Sequence, residues 1–521
     1  MNPDGKGTNE TSTGATDSRR RTFLRGVGGV VGLATVGRLA DRASAYHRYE
    51  DDYETVVDME AVGADTNGDE PINDLLREYA GDDTLLYFPS GRYRMNRQFR
   101  FTGFSNFGLL GSGATLVPDD YYDFDDGDDF NYRLFRLGIS YNPGTGLLFE
   151  NFTIDQTAED TGIRVIEANV TDGLVVKDID VEGVHDSGTW GPGRFVVSDP
   201  AGSGLVENFN APDGGAWSES TPADRLWRGP TGIVCNDHNE GTMTFRNCTL
   251  GGFPDNGLYA ANGSGQIIID SGQYKNSNTA SLRIGGQDSV IKNATVIVDD
   301  DSGRGSQHAL RLESSNYVRV LNTDVEITDP NGTAVQTHDV DHIYVDDLRV
   351  TTRGNTVVHG IEIGENTISA RIKNSRFDHG ANGGFSVWIH EGNESVHVEN
   401  TAFVGDGGHE SARAAIRCDR DDCTFRELDI NQTGSWRRRG IEIGGSDCLL
   451  YKGDYVVREF PIINYGDRTW IERIYANSTG DDEAVKLYES GDNVYIKKSR
   501  IIGGILNYGS DGLRTWDNTT E

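Results

Sequence analysis

Two segments of this chain set a histidine three residues ahead of a charged residue: His308-Ala309-Leu310-Arg311 and His359-Gly360-Ile361-Glu362. An imidazole is the side chain best suited to take a proton near neutral pH, and a guanidinium fork matches a carboxylate. A glutamate can share in proton transfer. Brought together, such groups suit removal of the proton next to a sugar acid's carboxylate, with Arg311 neutralising the charge that develops. His308, Arg311, His359 and Glu362 are therefore the candidate catalytic residues. Taken singly, each is better explained as a polar residue that keeps an outer surface soluble, so the reading depends on what places them side by side.

What places them is a repeat. Between Thr242 and Gly504 an apolar triplet of the type Gly-Ile-x-Ile is followed by turn residues and then by Val-x-Ile-x-Asn-x-x-Val. The Asn position falls at Asn247, Asp270, Asn293, Asn322, Asp347, Asn374, Asn400, Glu427, Lys452, Arg473 and Lys498, in steps of 21 to 29 residues. No copy could bury its apolar face alone, whereas copies stacked on one another share one core. The chain thus reads as all-β, a parallel β-helix over residues 146–510. In triplets such as Ile361-Glu362-Ile363 the flanking aliphatics point inward and the middle residue outward. Coils stacked about 4.8 Å apart line these middle residues into a ladder: Tyr259, Arg283, Arg311, Gln336, Glu362, Trp388, Arg417, Glu442, Asn464, Lys486 and Asn507. From Arg283 to Arg417 the ladder spans about 24 Å, room for several sugar rings. Arg283, Trp388 and Arg417, with Asp255, are the candidate substrate-binding residues, since indole faces suit sugars and guanidinium forks suit uronates. The Asn position marks a bend where a side-chain amide satisfies turn amides.

Two earlier copies are legible, at Asn151 and Asp178. Between Asp178 and Asn247 one triplet, Ile233-Val234-Cys235, is readable, so residues 185–230 read as a loop insertion, a lid whose Trp190, Trp217 and Trp227 would wall the groove beside Arg194, Asp213, Arg225 and Arg228. Residues 46–145 read as an entry module and 511–521 as a tail. Residues 1–45 resemble a twin-arginine export signal, with Arg20-Arg21 before Thr22-Phe23-Leu24, a Gly-rich apolar run and an Ala43-Ser44-Ala45 cleavage site. No later run approaches the length of a membrane span. The expected location is outside the cell or on its surface.

The 521 residues hold 82 acidic and 48 basic side chains, a formal net charge of −34. This opposes nucleic acid as a partner. The balance resembles that of proteins from extreme halophiles, where molar salt screens charge over about 3 Å. The runs Asp119 to Asp129 and Asp299 to Asp301 then read as a solvated face, with calcium binding the alternative; no other cofactor is called for. Five cysteines are too few for a disulfide framework. Cys423 and Cys448 share a slot in consecutive copies, which suits either a disulfide or a pair of free thiols.

Upstream, Gly63-Ala64-Asp65, the amphipathic segment Ile72 to Tyr79, Leu86 to Tyr93 and Gly108 to Leu116 resemble the entry module of the pectate-lyase-like superfamily. That resemblance implies a right-handed β-helix with an N-terminal capping helix and a substrate groove along the ladder sheet. His359-Gly360-Ile361-Glu362-Ile363-Gly364 resembles the His-Gly motif of polygalacturonases, and Arg417 would then be a substrate-binding arginine. The paired aspartates of that family are absent: Asn331-Gly332 stands in their place, while Asn322-Thr323-Asp324 and Arg371-Ile372-Lys373 lie out of register and Asp255-Asn256 keeps one carboxylate. Glycoside hydrolysis lacks its acid and base on this reading. A polysaccharide lyase acting on an acidic polysaccharide fits better. The alternatives are a non-catalytic polysaccharide-binding surface protein or adhesin, and a polygalacturonase-like hydrolase with an altered acid/base pair. The sequence leaves metal dependence and oligomeric state open.

Overall fold

The computed structural model describes residues 48–521 apart from 125–131, 188–189, 222–227, 330–331 and 409–412, and the backbone of 22–24. Arg20, Arg21, Arg225, Trp227 and Asn331 lie outside the described residues.

Each coil contributes up to three strands to a right-handed parallel solenoid. The triplets form one sheet, in which Leu282, Leu310, Val335, Ile361, Val387, Ile416 and Ile441 are successive partners. All seven are fully buried, and each contributes about 1.5–3 kcal/mol by leaving water. A second sheet follows the first corner, and a third follows the bend at the Asn position. The strand Thr333–Thr352 runs through all three. It bends at Asp339 and Asp347, whose φ angles are 54° and 57°. That left-handed conformation recurs at Asn247, Asn293, Asn322, Asn374 and Asn400, which is why short amide side chains stand there. They also bond along the stack: Asn322 Nδ2 donates to Asn293 at 2.7 Å.

The helix Asn73–Tyr79 occupies the place of a triplet strand in the first coil, with Ile72 and Leu76 fully buried in the common core. It packs on the strand Phe99–Phe101 and so covers the edge that the first triplet strand would otherwise expose.

Several expectations are corrected. Coils begin well before residue 146: Thr84–Phe88, Ser105–Pro118 and Thr145–Asp155 already pair in sequence. The segment 185–230 is largely a regular coil. Its strand Gly193–Val197 pairs with Arg164–Val170, and Ser203–Ala211 pairs with Leu174–Glu182. Among the described residues, what remains as a loop is 212–221 and 228–232. The tail is a coil too, since Arg514–Trp516 pairs with Tyr495–Lys497 and Thr519–Thr520 with Arg500 and Ile501. The left-handed residue near Asp270 is its neighbour Ser271, with φ 68°. Near the end of the ladder the outward residues are Ile463 and Leu506, not Asn464 and Asn507. Cys423 and Cys448 are free and buried, with Cys418 in contact with both.

Candidate functional site

Strand pairing brings Arg311, Gln336, Glu362 and Trp388 into one outward column. Two residues further along each strand the side chain returns to the same face, which adds a second column containing Glu313, His338, Gly364 and His390. Between the columns lies a cavity of about 570 Å³, lined by His308, Arg311, Gln336, Glu362 and His390, with His338, Asp339, Glu365 and Asn366 at its rim.

Glu362 is its centre. Its Oε1 lies 3.1 Å from His390 Nε2, and Thr333 Oγ1 donates to its Oε2 at 3.4 Å. The hydrogen bond from His390 holds the Glu362 carboxyl below its usual range, against the opposing effect of burial. A carboxylate only accepts, so in the neutral ring Nε2 of His390 carries the proton and Nδ1 the lone pair. The His390 ring stacks on the Trp388 indole with centroids 4.2 Å apart, which fixes its plane.

His308 and His359 are disposed differently. The Thr333 backbone N–H donates to Nδ1 of His308 at 3.1 Å, and the Phe385 N–H does the same for His359, also at 3.1 Å. In each neutral ring the proton therefore sits on Nε2, which makes the group a hydrogen-bond donor and not a base. Burial, with the Arg311 charge adding to it, lowers the His308 pKa to about 4. Burial likewise lowers that of His359, whose ring packs between Phe385 and Trp388 with centroids 5.6 and 5.0 Å away. His359 does not line the cavity. Gly360 beside it has a packing reason: a β-carbon there would stand 2.2 Å from the Ser386 carbonyl oxygen.

Arg311 is held by Glu313, to whose Oε2 its Nε donates at 2.7 Å. Glu313 is 2% exposed and also accepts from Arg283 Nε at 2.5 Å. Arg283 lies 4.4 Å from the Tyr259 ring and outside the cavity. Arg417 is engaged by Asp419 at 2.7 Å and Glu442 at 3.1 Å. Asp255 accepts from Thr231 and Thr279 hydroxyls at 2.9 and 3.0 Å, two coils before Arg311. Trp190, 51% exposed, and Trp217 line no part of the cavity; they meet Arg164 and Arg304 at 6.0 and 4.5 Å. Arg228 instead reaches the segment before His308, donating to the Arg304 carbonyl at 3.1 Å. Of the candidate catalytic residues, His308, Arg311 and Glu362 thus meet at the cavity. His390 joins them, unforeseen in the sequence although its spacing from Trp388 places it on the outward face.

Beneath the rim lies Arg420, 1% exposed. Its guanidinium donates to the carbonyls of Gly364 and Thr367 at 3.0 and 2.7 Å, and to those of His390 and Glu391 at 3.0 and 3.2 Å. It ties the backbone of His390 to that of the rim. Among the described residues no group of three or more His, Cys, Asp or Glu side chains is arranged to hold a metal ion, and no helix is long and apolar enough to cross a membrane.

No protein-family model and no curated protein matches the sequence. Solved structures similar to the chain include PfbA, a surface adhesin of Streptococcus pneumoniae, 12% identical over 85% of this chain and 92% of that one, with a TM-score of 0.37. The catalytic unit of a GH87 alpha-1,3-glucanase from Streptomyces thermodiastaticus is 12% identical over 89% and 68%, with a TM-score of 0.32. The A-module of the mannuronan C-5 epimerase AlgE4 of Azotobacter vinelandii is 11% identical over 89% and 97%, with a TM-score of 0.25. At these values the likeness carries no weight for chemistry.

Proposed function

We propose that this protein is an exported, carbohydrate-active β-helix enzyme that cleaves an acidic polysaccharide by elimination in the ladder-sheet cavity. The observation that supports it most is the Glu362–His390 pair beside Arg311. Arg311 would bind the uronate carboxylate and stabilise the negative charge that grows on it as the neighbouring C–H proton leaves. His390 Nδ1 would take that proton, with Glu362 stabilising the imidazolium. The electron pair released from the C–H bond forms a carbon–carbon double bond, the bond to the glycosidic oxygen breaks, and His390 returns the proton to that oxygen. His308 would donate from Nε2 to the same carboxylate. Incubation with polyuronates in molar salt should give an unsaturated product visible by ultraviolet absorbance, and Arg311→Ala should abolish it. A polymer that binds the cavity and is never cleaved would make the protein a polysaccharide-binding surface protein instead.

Export belongs to the same proposal and rests on Arg20 and Arg21. Changing both to Lys should leave the protein inside the cell, and unchanged secretion of that variant would remove the twin-arginine reading.

A further inference from the structure

On the second sheet, away from the cavity, two outward columns run side by side over the last five coils. One holds Arg426, Tyr451, Glu472, Lys497 and Trp516; the other holds Thr424, Leu449, Trp470, Tyr495 and Arg514. Aromatic rings and cations meet within and across the two columns. Trp470 and Tyr495 stack with centroids 5.1 Å apart, and Trp516 meets Trp470 edge-on at 5.9 Å. Lys497 lies 4.6 Å from the Trp470 ring, Arg426 5.3 Å from Tyr451 and Arg514 5.5 Å from Tyr495. A cavity of about 520 Å³ opens among Arg426, Tyr451, Arg468, Trp470 and Glu472.

In a chain of net charge −34 this face carries the cations Arg426, Lys452, Arg468, Arg473, Lys497 and Arg514. Four are paired, Arg468 with Asp447 and Asp467, Lys497 and Arg473 with Glu472, and Lys452 with Glu427. Arg426 and Arg514 make ion pairs with no carboxylate among the described residues; the contacts they make are ring faces.

We propose that this face is a second, non-catalytic binding site for an acidic polysaccharide, which it holds while the ladder-sheet cavity acts on the same polymer. The proposal rests on the reading of that cavity as one for an acidic polysaccharide. Ring faces take the C–H faces of sugars, guanidinium groups take carboxylates, and Asp447 and Glu472 accept hydroxyls. A polyuronate offers hydroxyls on every ring for these two carboxylates to accept, whereas a DNA backbone offers none, which favours a sugar acid over DNA. Five coils span about 19 Å, enough for several sugar residues. The site is on a different sheet from the cavity, so a chain held there leaves the cavity open.

The test uses the full chain in molar salt with sodium polygalacturonate and alginate as polymers, a uronate trisaccharide as the short substrate, and single-stranded oligonucleotide as a competitor class. Trp470→Ala and Arg426→Ala should each weaken retention of the polymer about tenfold, the factor that one lost ring or cation contact carries. Both should leave turnover of the trisaccharide unchanged, and circular dichroism should confirm that they fold. Polymer retention equal to wild type in both variants, or tighter binding of the oligonucleotide than of either polymer, would overturn the proposal. If Arg311→Ala still abolished turnover in that case, the reading of the cavity would survive alone. If wild-type protein retained neither polymer, this proposal would fall, and absence of turnover as well would take the cavity reading with it.

Discussion

Glu167 and Glu362 stand in the same outward column of the ladder sheet, yet their surroundings differ. Around Glu167 four guanidinium groups converge, those of Arg164 at 2.8 Å, Arg136 at 3.5 Å, Arg133 at 3.6 Å and Arg194 at 3.8 Å. Burial pushes its carboxyl up, but these charges, Arg164 foremost, hold it below its usual range. Around Glu362 stand an imidazole and a hydroxyl. A carboxylate surrounded by arginines has no partner that can exchange a proton at ordinary pH, whereas one paired with histidine does. Both sites are lined cavities, of about 210 Å³ at Glu167 and about 570 Å³ at Glu362. It is the titratable partner, and not the concavity or the carboxylate, that separates a site able to do chemistry from a structural ion cluster.

The largest difference should appear in turnover. His390→Ala should lower kcat/KM on a cleaved polyuronate by about 10²–10⁴, the range of a lost general base, and change the thermal midpoint little. Glu167→Gln should leave kcat/KM near wild type; equal losses in the two variants would erase the contrast. In stability the order reverses. Glu167→Gln leaves buried guanidinium groups uncompensated and should cost about 3–5 kcal/mol in denaturant unfolding, against about 1 kcal/mol for Glu362→Gln.

An effect confined to acid pH concerns His308. His308 titrates near 4 when folded and near 6.5 when unfolded. The unfolded chain therefore binds its proton first, and stability falls as pH drops from about 6.5 to 4, by at most about 3 kcal/mol. His308→Gln should flatten that part of the stability profile. An unchanged slope would show that the ring is not held neutral.

The triplets were legible because aliphatic residues on both sides of a polar one recur at a nearly constant step. The coil at Gly193–Val197 escaped because Arg194 is flanked inward by Gly193, which offers no side chain to recognise. The slips at Asn464 and Asn507 arose where two aliphatic residues adjoin, Ile462-Ile463 and Ile505-Leu506; a shift of one residue then exchanges the faces. Arg311, Glu362 and His308 were legible as chemistry. His390 and Glu313 were not, because they lie past the end of the repeating triplet, at the next outward position two residues on, which has equal access to the groove but no recurring residue type. Which histidine could act as a base depends on backbone N–H groups meeting Nδ1 of His308 and His359, a matter of loop geometry with no sequence pattern.

Arg420 ties together backbone from its own coil and the two before it. In a solenoid each coil ordinarily fluctuates against its immediate neighbours alone. Here a local opening at Gly364 or Glu391 must also strip carbonyl oxygens from a buried cation, so these coils should exchange their amide hydrogens with solvent as one cooperative block, slower than the coils on either side. Rigidity at the cavity would then come from below, through one side chain that never meets the solvent.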